Sequence, residues 1–237
     1  KIKQVSDFRT LFKVITTDEA MISKGDLLAE LHETSKSDYD RMKGAQPGFI
    51  IGEFSYRNVD SCVHYEPVLG FDIDHVAKSD HEQLMNKIKK WPFTFVAMPS
   101  VSKSGIRVLV YSASTKDRHG EYYSFAAKQI AALLGIPTKS KIKESFKAMG
   151  YNRDQIGKFL NENTHIDDAT KDISRFWYYS GLRKEEIFVN KDSAILTYKE
   201  EIKREEYERK GKNTGDYAYT FTERDKVDYL VNQIESN

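Results

Sequence analysis

The chain has one cysteine, Cys62, in 237 residues. A lone thiol cannot close an intrachain disulfide, build a four-cysteine zinc site or form a thioredoxin-like pair, and it points to a reducing compartment. Cys62 itself is expected to be a small buried hydrophobe. Net charge is also lacking, since 37 Lys+Arg stand against 36 Asp+Glu for a balance of +1. No bulk field therefore selects nucleic acid, membrane or acidic partners, and only local patches can do so. No apolar run approaches the length of a membrane span, and the N-terminus has no signal-peptide pattern, so no membrane association is expected. There is no internal repeat and no low-complexity tract. The chain begins at Lys1 rather than Met, as a segment of a longer protein would. A cytoplasmic, soluble domain is the expectation.

What is present suffices for a sizeable core: 39% apolar residues, with 14 Tyr, 13 Phe and 2 Trp. The length suits one large domain, or one with a small appendage. Residues 1–47 read as an N-terminal lobe of two or three helices, with Ser6-Asp7 and Asp18-Glu19 as capping starts. Phe49 to Phe54, Val63 to Ile73, Phe93 to Met98 and Ile106 to Tyr111 read as strands. A short helix is expected from Ser79-Asp80 to Lys90. The longest helix is expected from Asp117 to Leu134, stopped by Gly135-Ile136-Pro137. Two short basic helices follow around Lys143–Met149 and Arg153–Asn161. Arg175 to Ser180 reads as an aromatic strand, and residues 187–197 as a closing hairpin around Asn190-Lys191-Asp192. Beyond a boundary near residue 198, Lys199 to Lys212 and Glu223 to Ile234 read as helical additions. The fold class is α/β (α+β) with a mixed sheet. Residues 1–197 are the core and 198–237 a C-terminal helical extension.

The stretch Pro67-Val68-Leu69-Gly70-Phe71-Asp72-Ile73-Asp74 organises the rest. In a strand, residues two apart share a face, so Phe71 and Ile73 anchor in a core while Asp72 and Asp74 point together the other way. Paired carboxylates repel unless a cation separates them, and hard divalent ions prefer such oxygen ligands. Two further stretches carry matching chemistry. The polar loop Ser100-Val101-Ser102-Lys103-Ser104-Gly105 leads into Ile106-Arg107. Ile166-Asp167-Asp168 is followed by Arg175. Acids that hold metal ions, with basic side chains and loop N–H groups that hold phosphates, are the needs of phosphoryl and nucleotidyl transfer.

In this order the segments resemble the archaeo-eukaryotic primase superfamily, in its prokaryotic primase-polymerase branch. They are most similar to the primase-polymerases encoded in CRISPR loci and to domains fused to helicases. Phe71-Asp72-Ile73-Asp74 matches the acidic-pair motif. Ser104-Gly105-Ile106-Arg107 matches the second motif, and Ile166-Asp167, running on to Arg175, matches the third. The resemblance covers roughly residues 60–197. It implies a primase-type, RRM-like core that forms phosphodiester bonds from dNTPs or NTPs on a single-stranded DNA template. Asp72, Asp74 and Asp167 would be catalytic metal ligands for two Mg²⁺ or Mn²⁺ ions. Ser102, Lys103, Ser104, Arg107 and Arg175 would bind nucleotide. Initiation without a primer, a prokaryotic cytoplasm, and CRISPR adaptation proteins or a helicase as partners are further implications. Arg107 replaces the family's commoner histidine. It is a better bidentate phosphate donor, but it cannot shuttle a proton near pH 7.

Each motif also has a plainer interpretation. The acidic pair serves nucleases and sugar-nucleotide transferases as well, and Arg107 is compatible with a decayed module that only binds nucleic acid. Ser102 to Gly105 fits a flexible turn, and Asp167-Asp168 fits a cap. His75 and His119 fit structural hydrogen bonds, and Trp177, Tyr178 and Tyr179 fit strand packing. The basic stretch 138–158 is either a track for a template backbone or a solvated face.

Overall fold

The computed structural model describes residues 7–179 and 181–198. Three helices open the chain: α1 (Phe8–Thr17), α2 (Glu19–Thr34) and α3 (Lys36–Gly44). The first two start where capping chemistry predicts. Asp7 accepts the Thr10 N–H at 2.7 Å, and Asp18 accepts that of Met21 at 3.1 Å, so each cap satisfies a backbone donor that the first turn leaves free. Three short strands follow, β1 (Gly48–Phe49), β2 (Glu53–Phe54) and β3 (Cys62–His64). Cys62 is half-buried rather than fully enclosed.

The centre of the fold is β4 (Val68–Asp74), α4 (Lys78–Lys90), β5 (Thr94–Pro99), β6 (Ile106–Tyr111), α5 (His119–Leu134), then a helical pair α6 (Lys139–Ala148) and α7 (Arg153–Glu162), and β7 (His165–Ile166). With the pair set aside the order is βαββαβ, the split βαβ arrangement. Two final strands are β8 (Trp177–Tyr178) and β9 (Phe188–Val189). The main sheet has the order β7-β4-β6-β5-β9. All its strand pairs are antiparallel, where a mixed sheet was expected. The helical crossover from β4 to β5 does create parallel strands, but β6 lies between them and pairs with both. Parallel pairing is confined to isolated bridges, Ser112 to Leu196 and Thr138 to Ile166. The class is α+β.

The two faces of the sheet are filled by alternation. Leu69, Phe71 and Ile73 are fully buried against Leu84 and Ile88 of α4 and Tyr123, Ala126 and Ile130 of α5. On the other face Val68, Leu109 and Met98 pack with Leu11 and Ile15 of α1 and with Leu182. The expected hairpin over 187–197 does not form. Phe188 and Val189 instead pair with Ala97 and Val96 on the side of β5 away from β6, and Leu196 bridges to Ser112 just past the end of β6. The aromatic strand Trp177-Tyr178 pairs with Phe49 and Gly48, off the main sheet. Beyond Tyr198 the helical extension expected over 198–237 lies outside the described residues. Among those described, no helix is long and apolar enough to cross a membrane.

Candidate active site

Asp72 and Asp74 leave β4 on the face opposite the α4/α5 core, as the period of two requires. The ladder register brings the third acid beside them. Ile73 pairs with Ile166 and Asp74 with His165, and the Asp167 N–H donates to the Asp72 carbonyl at 2.9 Å. Ile166 therefore joins the helical core while His165 and Asp167 turn to the acidic face. Asp72 and Asp167 are buried, and each has a basic partner.

Arg107 is the cross-strand partner of Asp72. Its Nε donates to Asp72 Oδ1 at 2.9 Å and its Nη2 to Oδ2 at 3.3 Å, while Nη1 donates to the Tyr178 carbonyl at 2.8 Å. The guanidinium lies over the Trp177 ring, 4.6 Å from its centroid, a cation–π contact. Gly70, two residues before Asp72, makes room for that ring. A Cβ there would stand 2.5 Å from Trp177.

Asp167 Oδ1 accepts from Lys139 Nζ at 3.0 Å and from the Ala169 N–H at 3.3 Å. Arg175 Nη2 lies 3.8 Å from Oδ2, and Arg175 Nε is buried without a hydrogen-bond partner. Tyr123 and Thr170 hydroxyls hold the Asp167 carbonyl from behind. Burial works to raise the Asp167 carboxyl, and the Lys139 ammonium, with Ala169 and Arg175, overrides it and keeps the group below the ordinary carboxylate range.

Asp74 makes no hydrogen bond or ion pair among the described residues. Its burial, and then the charges of Asp72 and Asp167, push its pKa up to about 6. The next residue, His75, takes a left-handed backbone conformation (φ 55°) that costs strain in a residue other than glycine. Its carbonyl accepts the Thr164 hydroxyl at 2.8 Å, and its ring stacks on His165 with centroids 5.8 Å apart. Burial lowers both imidazoles first of all; the charge of His165 lowers His75 further, and that of Lys139 lowers both.

The loop before β6 is a tight turn. Gly105 N–H reaches the Ser100 hydroxyl, and the Ser100, Ser102 and Ser104 hydroxyls form a chain of 3.1 and 2.8 Å links. It abuts the acidic strand, since Val76 N–H donates to the Ser104 carbonyl at 2.9 Å and a Cβ on Gly105 would lie 2.6 Å from the Ile73 carbonyl. Lys103 goes elsewhere. Its ammonium pairs with Asp26 at 2.9 Å and Glu186 at 2.8 Å, and Arg183 with Lys103 holds Asp26 down to about 2.

Of the residues singled out from sequence, the fold thus gathers Asp72, Asp74, Asp167, Arg107 and Arg175. It places the serines at their border and engages Lys103 with a separate acidic pair. Lys139 and His165 join the site without having been singled out for it. His165 was accessible to the same two-residue spacing argument, applied backward from Asp167. Lys139 has no local signature, because a helix start far along the chain delivers it.

Oxygen donors alone, with one acid raised by its two neighbours, suit a hard divalent cation. Among the described residues, however, no group of three or more His, Cys, Asp or Glu side chains is placed to hold a metal ion. Arg107 covers both Asp72 oxygens and Lys139 one of Asp167. The donor chemistry fits a metal, and the present side-chain arrangement answers the negative charge with built-in cations instead.

No curated protein and no solved structure matches the chain. The family model described as BT4734-like, N-terminal domain matches residues 43–180, a span that holds all three acids with Arg107, Lys139 and Arg175, but neither Asp26 nor Glu186, the partners of Lys103. The match covers more than half of the sequence, and the chain belongs to the BT4734-like family through this N-terminal domain.

Proposed function

We propose that this chain is a nucleotidyltransferase of the archaeo-eukaryotic primase type, joining nucleoside triphosphates into a strand on a single-stranded DNA template. The observation that carries this reading is the convergence of Asp72, Asp74 and Asp167 on one face of a βαββαβ sheet, with Arg107, Lys139 and Arg175 against them. The strand order agrees with an RRM-like core. Asp72, Asp74 and Asp167 would hold Mg²⁺ or Mn²⁺, which when bound supplies the charge that aligns a 3′-hydroxyl with an α-phosphate. The chain's own part is positioning and charge balance. Arg175, half-exposed with an unpartnered Nε, and Lys139 are the cations best placed to turn from carboxylate to triphosphate. The serine turn offers hydroxyls at the border of the site. On this reading, action in a prokaryotic cytoplasm beside CRISPR adaptation proteins or a helicase follows from the resemblance.

The test is incorporation of labelled dNTPs on circular single-stranded DNA with Mn²⁺, with and without a primer. Asp74→Asn is the informative variant, because Asp74 anchors no other side chain. Incorporation that this variant abolishes with the fold intact is the expected result. Degradation of the DNA, or transfer from a sugar nucleotide, would replace the proposal with a different metal enzyme. The Arg107–Asp72 pair favours a second reading, a module that binds nucleic acid without synthesis. Calorimetry showing no metal-dependent nucleotide binding would select it.

A further inference from the structure

The helices α6 and α7 stand apart from the rest of the fold in packing and in charge. They are inserted between α5 and β7, and they carry a separate small core of Ile142, Ile156 and Leu160 with Phe146 and Phe159 against it. Lys141, Lys143, Lys147, Arg153 and Lys158 are exposed, and none forms an ion pair among the described residues. Acids in the same span are fewer, with only Glu144, Asp154 and Glu162.

The cations are also ordered. Lys139, Lys143 and Lys147 recur every fourth residue of α6, so they form one stripe with about 6 Å between successive members along the axis. Its lower end is Lys139, bonded to Asp167. At the upper end the chain turns through Gly150, in a left-handed conformation (φ 84°). Met149 and Tyr151 flank that turn, 62% and 44% exposed, and the Tyr151 ring rests on Phe146 at 4.9 Å. The root is fixed as well, because Ile166 N–H donates to the Pro137 carbonyl and Ser140 N–H to Asp168.

We propose that this helical pair is an arm that holds a single-stranded DNA, with the lysine stripe along its phosphates and Met149 and Tyr151 against its bases at the tip. The proposal rests on the nucleotidyltransferase reading for the identity of the strand. A row of cations, of which Lys143 and Lys147 form no ion pair among the described residues, matches a polyanion, and exposed apolar and aromatic groups beside them match unstacked bases, which is the pattern of single-strand binders. The stripe ends at an acid of the candidate active site, so a strand lying on it is led to that site.

Fluorescence anisotropy of the full chain with a labelled oligothymidylate, without nucleotide or metal, tests it. Lys143→Gln with Lys147→Gln is expected to weaken binding about tenfold at low salt and to flatten the salt dependence by about 1.4 in the log–log slope, near 0.7 for each lost phosphate contact. Met149→Ser with Tyr151→Ser is expected to weaken binding roughly tenfold and leave the slope unchanged. Lys13→Gln with Lys24→Gln removes the same charge from the exposed faces of α1 and α2 and should bind as the natural chain does. Undiminished binding by both arm variants, or an equal loss in the α1/α2 control, overturns the arm. So does a stripe variant that loses phosphatidylserine vesicles but keeps DNA. If the natural chain does not bind the oligonucleotide at all, the nucleotidyltransferase reading falls with the arm. If it binds and the arm variants match it, only the arm falls.

Discussion

Arg107 faces Asp72 across the β4–β6 ladder and closes on both carboxylate oxygens, at 2.9 and 3.3 Å, with both residues more than nine-tenths buried. The acid most central to the site therefore has a counter-ion supplied by the sheet itself. Breaking a buried pair from one side strands the other charge, which costs about 3–5 kcal/mol. Arg107→Ala should lose that much in urea unfolding. Replacing both residues, with Asp72→Ala added, should recover part of the loss. A single variant as stable as the natural chain would show that the pair is solvated after all.

Asp74 gives the site a pH signature. Its folded pKa, raised to about 6, exceeds that of an unfolded aspartate, so the folded state holds the proton more tightly. The resulting stability is complete below about pH 4 and is lost as pH rises through 6. Asp74→Asn should remove that slope and be the more stable protein at pH 7. Mg²⁺ or Mn²⁺ at pH 7 should raise the Tm of the natural chain, EDTA should reverse the rise, and Asp74→Asn should lack it. Differential scanning calorimetry across pH reads both effects.

Lys139 is expected to act through Asp167. Burial alone would raise that carboxyl, and the ammonium is the main opposing influence. Lys139→Met should destabilise the fold by about 1–3 kcal/mol at pH 7, as an orphaned buried acceptor does. Stability owed to a depressed acid is present above the ordinary carboxylate pKa and disappears as pH falls through the depressed value. The difference between the two proteins should accordingly shrink in acid. A constant difference from pH 3 to pH 7 would assign Lys139 to packing alone.

Gly70→Ala should disturb the site without touching an acid. The added methyl meets the Trp177 ring, and the ring supports Arg107. Overpacking of this kind costs about 1–3 kcal/mol, and a shifted Trp177 emission should accompany it. Unchanged emission and stability would mean that the ring moves aside freely.

How far the site was legible in the sequence depended on the range of the contacts. Asp72 and Asp74 were readable because a strand's alternation is local, and the segment around Asp167 was readable because several residue types agree over a short span. The capped starts at Asp7 and Asp18 were readable for the same reason. Lys139 and the Arg107–Asp72 pairing were not, since each depends on which strands and helices become neighbours. The pairing of Lys103 was not readable either, since its partners Asp26 and Glu186 lie far off in the chain. The mixed sheet failed because Ile106 to Tyr111 was readable as a strand but its place between β4 and β5, antiparallel to both, was not.

The third acid is located by a strand of two residues. Backbone bonds to β4 on one side and to Pro137 on the other fix where His165, Ile166 and Asp167 lie. A slip of one place would send Asp167 into the helical core and bring Ile166 out, so the arrangement is kept whole or lost whole. Among the described residues of the arm only the root, from Pro137 to Ser140, bonds to this segment, so the tip can lengthen, shorten or change its surface without shifting Asp167. On the proposed reading, a change in what the tip grips would leave the acids beneath it in place.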